Sequence, residues 1–227
     1  MENTLFDEFI YNFRYISGHV VKWWPINDDS IIVEDDDGYY YLYDSVLNST
    51  RSSKSLEYLL RINVNDKREW TKKFGREFYR AVLKSGYNQE DLSLDSKISS
   101  GSISAYTNGE KIPSIYSLLK LVTTMDCTIQ ELINMLCLEM RANDMIFAID
   151  FIDDKDEWMF EFSIRLLRLL RKYKMTQHEF AEIIDVTPMS VTNYIRGKQI
   201  PSAYVIYRII KDLKLNFDEV RFLLGIV

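Results

Sequence analysis

Apolar positions along this 227-residue chain follow two different periods, and the change between them divides it. Leu5, Phe6, Phe9, Ile10, Phe13 and Ile16 recur every three to four residues, the spacing of one helix face, and Ser17-Gly18 ends the stripe. Short stretches rich in β-branched and aromatic residues come next, at 19–24, 31–34 and 39–43, with Asp37-Gly38 as a hairpin turn signal. A helix over a small antiparallel meander is the expectation for this part. From residue 64 the pattern returns to the helical period and keeps it to the end.

The helical part repeats itself. Val64-Asn-Asp-Lys-Arg-Glu-Trp70 aligns with Ile152-Asp-Asp-Lys-Asp-Glu-Trp158, and the match runs on without a gap to Leu136 and Leu224, at a constant offset of 88. Phe74 pairs with Phe162, Gln89 with Gln177, Tyr106 with Tyr194, Gly109 with Gly197, Pro113 with Pro201 and Glu131 with Glu219. Each copy predicts five helices. Asp66 and Asp154, each followed three residues later by Glu, stand where an N-cap belongs. The stripe Trp158, Phe162, Leu166, Leu169, Leu170 and Tyr173 faces a core, and Trp70, Phe74, Phe78 and Val82 repeat it. Farther on, Thr176 caps a second helix, Asp185 takes a tight turn that tolerates left-handed backbone, Thr187 caps a third helix, Gly197 ends it and Pro201 opens a fourth. A short helix, a tight turn and another short helix form the unit that lays one helix across a duplex backbone and the next in its major groove.

Charge changes the picture less by its sum than by its distribution. The net value of −6 argues against a polyanionic partner, yet residues 1–62 carry 11 acidic and 5 basic side chains, whereas residues 158–227 carry 7 and 11. Residues 63–140 are balanced and residues 141–157 are acidic. The acidic start does not resemble a secretory signal, and the most apolar stretch, 145–152, is short and broken by Asp150, so a cytoplasmic protein with no membrane partner is expected. Cys127 and Cys137 form no metal-ligand pattern with His19 and His178 and are read as core thiols. No phosphate loop, nucleophile elbow or paired zinc histidines occur, so the chain is read as a non-enzyme without a cofactor.

Thr176, Gln177, Phe180, Ala181, Val186, Thr187, Val191, Tyr194, Gly197, Lys198 and Pro201 stand at the spacing of the lambda-repressor/Cro (XRE-type) helix-turn-helix, and the second copy resembles that DNA-binding family. The first copy keeps Gln89, Leu92, Ile98, Ser99, Ile103, Tyr106, Gly109 and Pro113, but Ser93 replaces a small apolar residue and Lys97 occupies a turn position where Gly is common. The resemblance implies a mainly α fold: two tandem five-helix helix-turn-helix domains, 63–140 and 158–227, joined by a packed connector, 141–157. A small acidic α+β domain with an antiparallel sheet, 1–62, precedes them.

By position, the resemblance gives Gln177 a phosphate role, sets Thr187, Pro188, Met189 and Asn193 toward base edges, brings Arg196 and Lys198 to phosphates, and counts Thr192 among the DNA-binding residues. Asn pairs bidentately with adenine, while Pro and Met offer apolar contact to a thymine methyl. In the first copy the corresponding DNA-facing set is Gln89, Ser99, Ser100, Ser104 and Lys111, with Gly101 and Ala105 among small side chains of little reach. Arg165, Arg168, Arg171, Lys172 and Lys174 add a basic helix to the second copy. The expected partner is double-stranded DNA, and the expected role a phage or mobile-element repressor whose second domain is the main reader. The first domain is left as either a weaker half-site partner in a pseudo-dimer or a protein-contact module. An alternative role is a protein-interaction or inhibitor protein, such as an anti-CRISPR, working through the aromatic and acidic residues 1–62 (Trp23, Trp24, Tyr39, Tyr40, Tyr41 and Tyr43 beside Asp28, Asp29 and 35–37). A homodimer is also left open.

Overall fold

The computed structural model describes residues 7, 9, 10, 20–27, 30–44, 49–53, 64–140, 149 and 151–226. The chain divides into two compact units, Met1–Lys67 and Arg68–Val227.

In the first unit four strands pair in chain order, each antiparallel to the next: β1 (Val20–Asn27), β2 (Ser30–Asp35), β3 (Tyr40–Asp44) and β4 (Ser49–Ser53). Residues 7, 9 and 10 are helical, and the rest of the apolar stripe from Leu5 to Ile16 lies outside the described residues. Phe9 joins Ile31, Val33 and Tyr43 in a small core, its ring edge-on to Tyr43 at 5.8 Å, because alternate residues of a strand share one face. The fourth strand had no signal: Ser49-Thr-Arg-Ser-Ser53 lacks alternation and gains its strand form by pairing with β3.

One acid of the turn, Asp35, is internal scaffolding, while Asp36 and Asp37 are exposed. Asp35 is buried and accepts hydrogen bonds from the backbone N–H groups of Asp37 and Tyr39 and from the Tyr41 hydroxyl. Burial and the Asp35 carboxylate push the Tyr41 hydroxyl up to about 12. The aromatic display expected of this segment is therefore reduced. Tyr43 is fully buried, Tyr41 and Trp23 pack against the core, and Tyr39 is the exposed large aromatic among the described residues here. Trp24, Asp28 and Asp29 lie outside the residues whose side chains are described.

Ten helices follow among the described residues, five from each copy. Copy one forms α1 (Val64–Ser85), α2 (Gln89–Ser96), α3 (Ser100–Thr107), α4 (Ile115–Thr124) and α5 (Ile129–Met135). Copy two forms α6 (Lys155–Lys172), α7 (Gln177–Ile183), α8 (Pro188–Ile195), α9 (Ala203–Asp212) and α10 (Phe217–Leu224). Asp154 caps α6 by accepting from the N–H groups of Asp156 and Glu157. The equivalent expectation for Asp66 is corrected: α1 already begins at Val64, so Asp66 lies in its first turn and not at a cap position. No helix among the described residues is long and apolar enough to cross a membrane.

Both predicted stripes face one continuous core that runs through the two copies. Trp70, Phe74 and Phe78 stack along α1, and Trp158 stacks on Phe162 along α6. The seam between copies is reciprocal. Ile115 N–H donates to Pro201 C=O at 2.9 Å, and Ala203 N–H donates to Pro113 C=O at 2.9 Å, around an antiparallel bridge between Ser114 and Ser202. Trp70 meets Tyr204 with ring centroids 5.4 Å apart, and Trp158 meets Tyr116 at 5.8 Å. Every one of these contacts becomes its partner when the two copies are exchanged.

Some described residues of the connector make packing contacts. Ile149 is buried and its C=O accepts from Thr123, Phe151 meets Tyr116 edge-on, and the Asp153 carboxylate pairs with Lys120 at 3.0 Å. Residues 141–148 and 150 lie outside the described residues.

Candidate nucleic-acid interface

In copy two the capping box of α7 is complete: Thr176 accepts from the Glu179 N–H, and Glu179 accepts from the Thr176 N–H at 2.8 Å. That backbone hydrogen bond, with a second from the Thr176 hydroxyl, lowers the Glu179 pKa below the usual carboxylate range. The chain then turns through Asp185, whose φ of 54° is left-handed as its residue type predicts, and Thr187 caps α8 with Pro188 opening it. Val191 and Tyr194 on one side of α8 are buried with Phe180, Ala181 and Ile184. Burying that side fixes which side is left over. Thr187, Pro188 and Met189 are exposed, Met189 at 67%, and Asn193 is half-buried one turn farther on. The Thr192 hydroxyl lies 3.1 Å from Gln177 Oε1 and 3.0 Å from Pro188 C=O, so Thr192 anchors the exposed Gln177 to α8 instead of extending outward itself. Arg196 and Lys198 stand exposed at the C-terminal end of α8. Arg208 secures α7 from behind: burial opposes its charge, but Asp212 at 2.6 Å raises its pKa, and Nη2 donates to the Ile183 C=O.

Copy one repeats the frame with different contents. Asn88 caps α2, Lys97 takes the left-handed turn at φ 56°, and Ser99 caps α3. Gln89 donates to the Ser100 C=O, holding α2 against α3 as Gln177 does in copy two. Ser99, Ser100 and Gly101 are exposed while Ser104 and Ala105 are half-buried. A Cβ on Gly101 would meet nothing within 4 Å, so the front of α3 is open space rather than a packed surface. Behind it Ser96 is fully buried where copy two has Ile184, and its hydroxyl is satisfied by the Leu92 C=O.

The cations sit in different places in the two copies. Asn108 and Glu110 replace Arg196 and Lys198, leaving Lys111 exposed in that loop. Gly75 lets the loop approach α1 so closely that a Cβ there would lie 2.7 Å from Gly109 N, and Gly109 itself, at φ 68°, lies against the Lys72 backbone. Exposed Lys72 thus stands near the end of α3, where copy two has Phe160. The pairing of Lys72 with Phe160 is visible in the repeat, but only the Gly75–Gly109 approach gives it meaning.

The basic helix expected of copy two is only partly available. Arg165 folds back over Gly225 with 11% of its side chain exposed, where burial lowers its pKa, and Lys172 pairs with Glu219 at 2.6 Å. Arg168, Arg171 and Lys174 remain exposed. Cys127 is buried and Cys137 half-buried, and burial pushes the first thiol up to about 12 and the second up to about 11.

Each copy thus has its caps, its left-handed turn and a second short helix with one side exposed, and two stretches of the chain, 79–132 and 164–220, match the Helix-turn-helix family model. Both copies are helix-turn-helix domains of the lambda-repressor type. The matches span α2–α3 and α7–α8, and they support DNA binding and transcription regulation as the class of activity, in a family that is generally non-enzymatic. No curated protein and no solved structure matches the chain. The tandem helix-turn-helix domains therefore rest on the repeat, the fold and the family match together.

Proposed function

We propose that this tandem helix-turn-helix protein is a sequence-specific, repressor-type regulator that binds double-stranded DNA and reads bases mainly through its second domain. The observation that carries this reading is the contrast between the two reader helices. The front of α8 offers Pro188, Met189 and Asn193, whereas the matching front of α3 offers Ser100, Gly101 and Ala105. Asn193 has the donor and acceptor needed for an adenine edge, and Met189 and Pro188 suit a thymine methyl beside it. Gln177, Arg196 and Lys198 supply the surrounding phosphate contacts that fix register. Capping and the Gln177–Thr192 contact hold these groups before any ligand arrives, which lowers the ordering cost of binding.

Random-site selection with the full chain, repeated with Asn193→Ala, tests the reading. The expected result is enrichment of a short motif containing an A·T step that Asn193→Ala loses. Failure to enrich any duplex at low salt would remove the proposal.

A further inference from the structure

The seam between the two domains carries a further step, which rests on DNA binding through α8. Its two backbone hydrogen bonds and the Trp70–Tyr204 and Trp158–Tyr116 contacts exchange under the offset of 88, so a local two-fold axis runs through the Ser114–Ser202 bridge. A two-fold rotation preserves direction along its own axis. Whatever component of α8 faces the duplex along that axis, α3 shares it. Duplex DNA has local two-fold axes of its own, relating its two phosphate backbones, and symmetric helix-turn-helix pairs use them with readers about 34 Å apart. The segments 108–113 and 196–201 join α3 and α8 to the bridge by equivalent folds, with the Glu110 N–H on the Ala105 C=O and the Lys198 N–H on the Asn193 C=O. The chain thus already contains both halves of the symmetric contact that two separate subunits would otherwise have to form.

We infer that one chain spans one bipartite duplex site, its local two-fold axis on that of the DNA, with copy two on a base-specific half and copy one on a sequence-tolerant half. Copy one is suited to that second role. Its front carries no long polar side chain at positions 100, 101 or 105, while Lys72 and Lys111 lie exposed beside it where phosphates pass. The operator is then asymmetric although the scaffold is nearly symmetric.

Native mass spectrometry and hydroxyl-radical footprinting of the full chain on its selected duplex test this. The expected complex holds one chain per duplex, with two protected patches about one helical turn apart and base sensitivity in one patch only. The triple variant Ser100→Pro, Gly101→Met and Ala105→Asn transplants the front of α8 onto α3. Pro suits the first helical position, and the space beyond Gly101 is open. It is expected to gain about ten-fold discrimination in the second patch and to prefer an inverted repeat. Two chains per duplex, or a single protected patch, overturns the inference while leaving α8 as a reader. Absence of any duplex binding instead removes the reading on which it rests.

Discussion

The two helix-turn-helix domains share a backbone plan and differ in what they place on it. Left-handed turns fall at Lys97 and Asp185, glycines end both reader helices, and Lys84–Glu131 repeats as Lys172–Glu219. Conserving the frame this closely while replacing Met189 and Asn193 with Gly101 and Ala105 separates two demands on one sequence. Core and cap positions answer to folding and to the seam, and the front of the reader helix answers only to what it touches. Fold is therefore a poor guide to whether a given copy reads bases, and the side chains beyond the core decide it.

The largest expected effect breaks the comparison at the seam. Trp70→Ala and Trp158→Ala each remove a buried ring from the shared core, costing about 3–5 kcal/mol in urea unfolding. Trp70 is expected to cost the more by about 1 kcal/mol, because its indole N–H donates to the Leu136 C=O at 3.2 Å while that of Trp158 has no partner among the described residues. Equal losses would mean that this asymmetry carries no weight.

On DNA the comparison sharpens. Asn193→Ala is expected to weaken specific binding by about 1–3 kcal/mol, and Ser104→Ala by no more than a few tenths, measured by titration at one fixed salt concentration. A comparable loss from both would make the domains equal readers.

Gly75→Ala tests the close approach that brings Lys72 beside α3. With backbone atoms of Gly109 at 2.7 and 2.8 Å from the added carbon, the loop must move, and a loss of about 1–3 kcal/mol in stability is expected. Its counterpart Ser163→Ala is expected to stay within about 0.5 kcal/mol, since only the half-buried Phe160 C=O loses a donor.

The smallest effect concerns acid. Lys172 lowers the Glu219 pKa first of all; at Glu131 burial works the other way, but Lys84 and the capping bonds to Thr128 outweigh it. A depressed carboxylate stabilises above its unfolded pKa, and that stability is lost as pH falls through the folded value. Glu219→Gln is thus expected to flatten the acid limb of a stability-against-pH curve below about pH 4.3, by no more than about 1 kcal/mol because Lys172 is largely exposed. A steeper acid limb in the variant would contradict this.

Much of the fold was legible because it depends on short-range chemistry. Caps at Thr176 and Thr187, the turn at Asp185 and the stop at Gly197 are local choices, and the repeat supplied each of them a second time. What escaped was relational. The start of α1 at Val64 needs more than the Asp66 spacing, strand β4 exists only through its pairing, and the burial of Arg165 depends on the room that Gly225 leaves. Of the candidate site, the positions on α7 and α8 follow from the repeat and the caps, but the turn of Thr192 inward to Gln177 depends on how the two helices pack and has no local signal.

The most direct test of unequal reading on an equal frame is a single-base substitution scan of the selected duplex with the full chain. Base sensitivity is predicted in the half-site under α8 alone, with substitutions there costing about 1–3 kcal/mol each and those in the other half nearly neutral. Equal sensitivity in both halves would contradict the account.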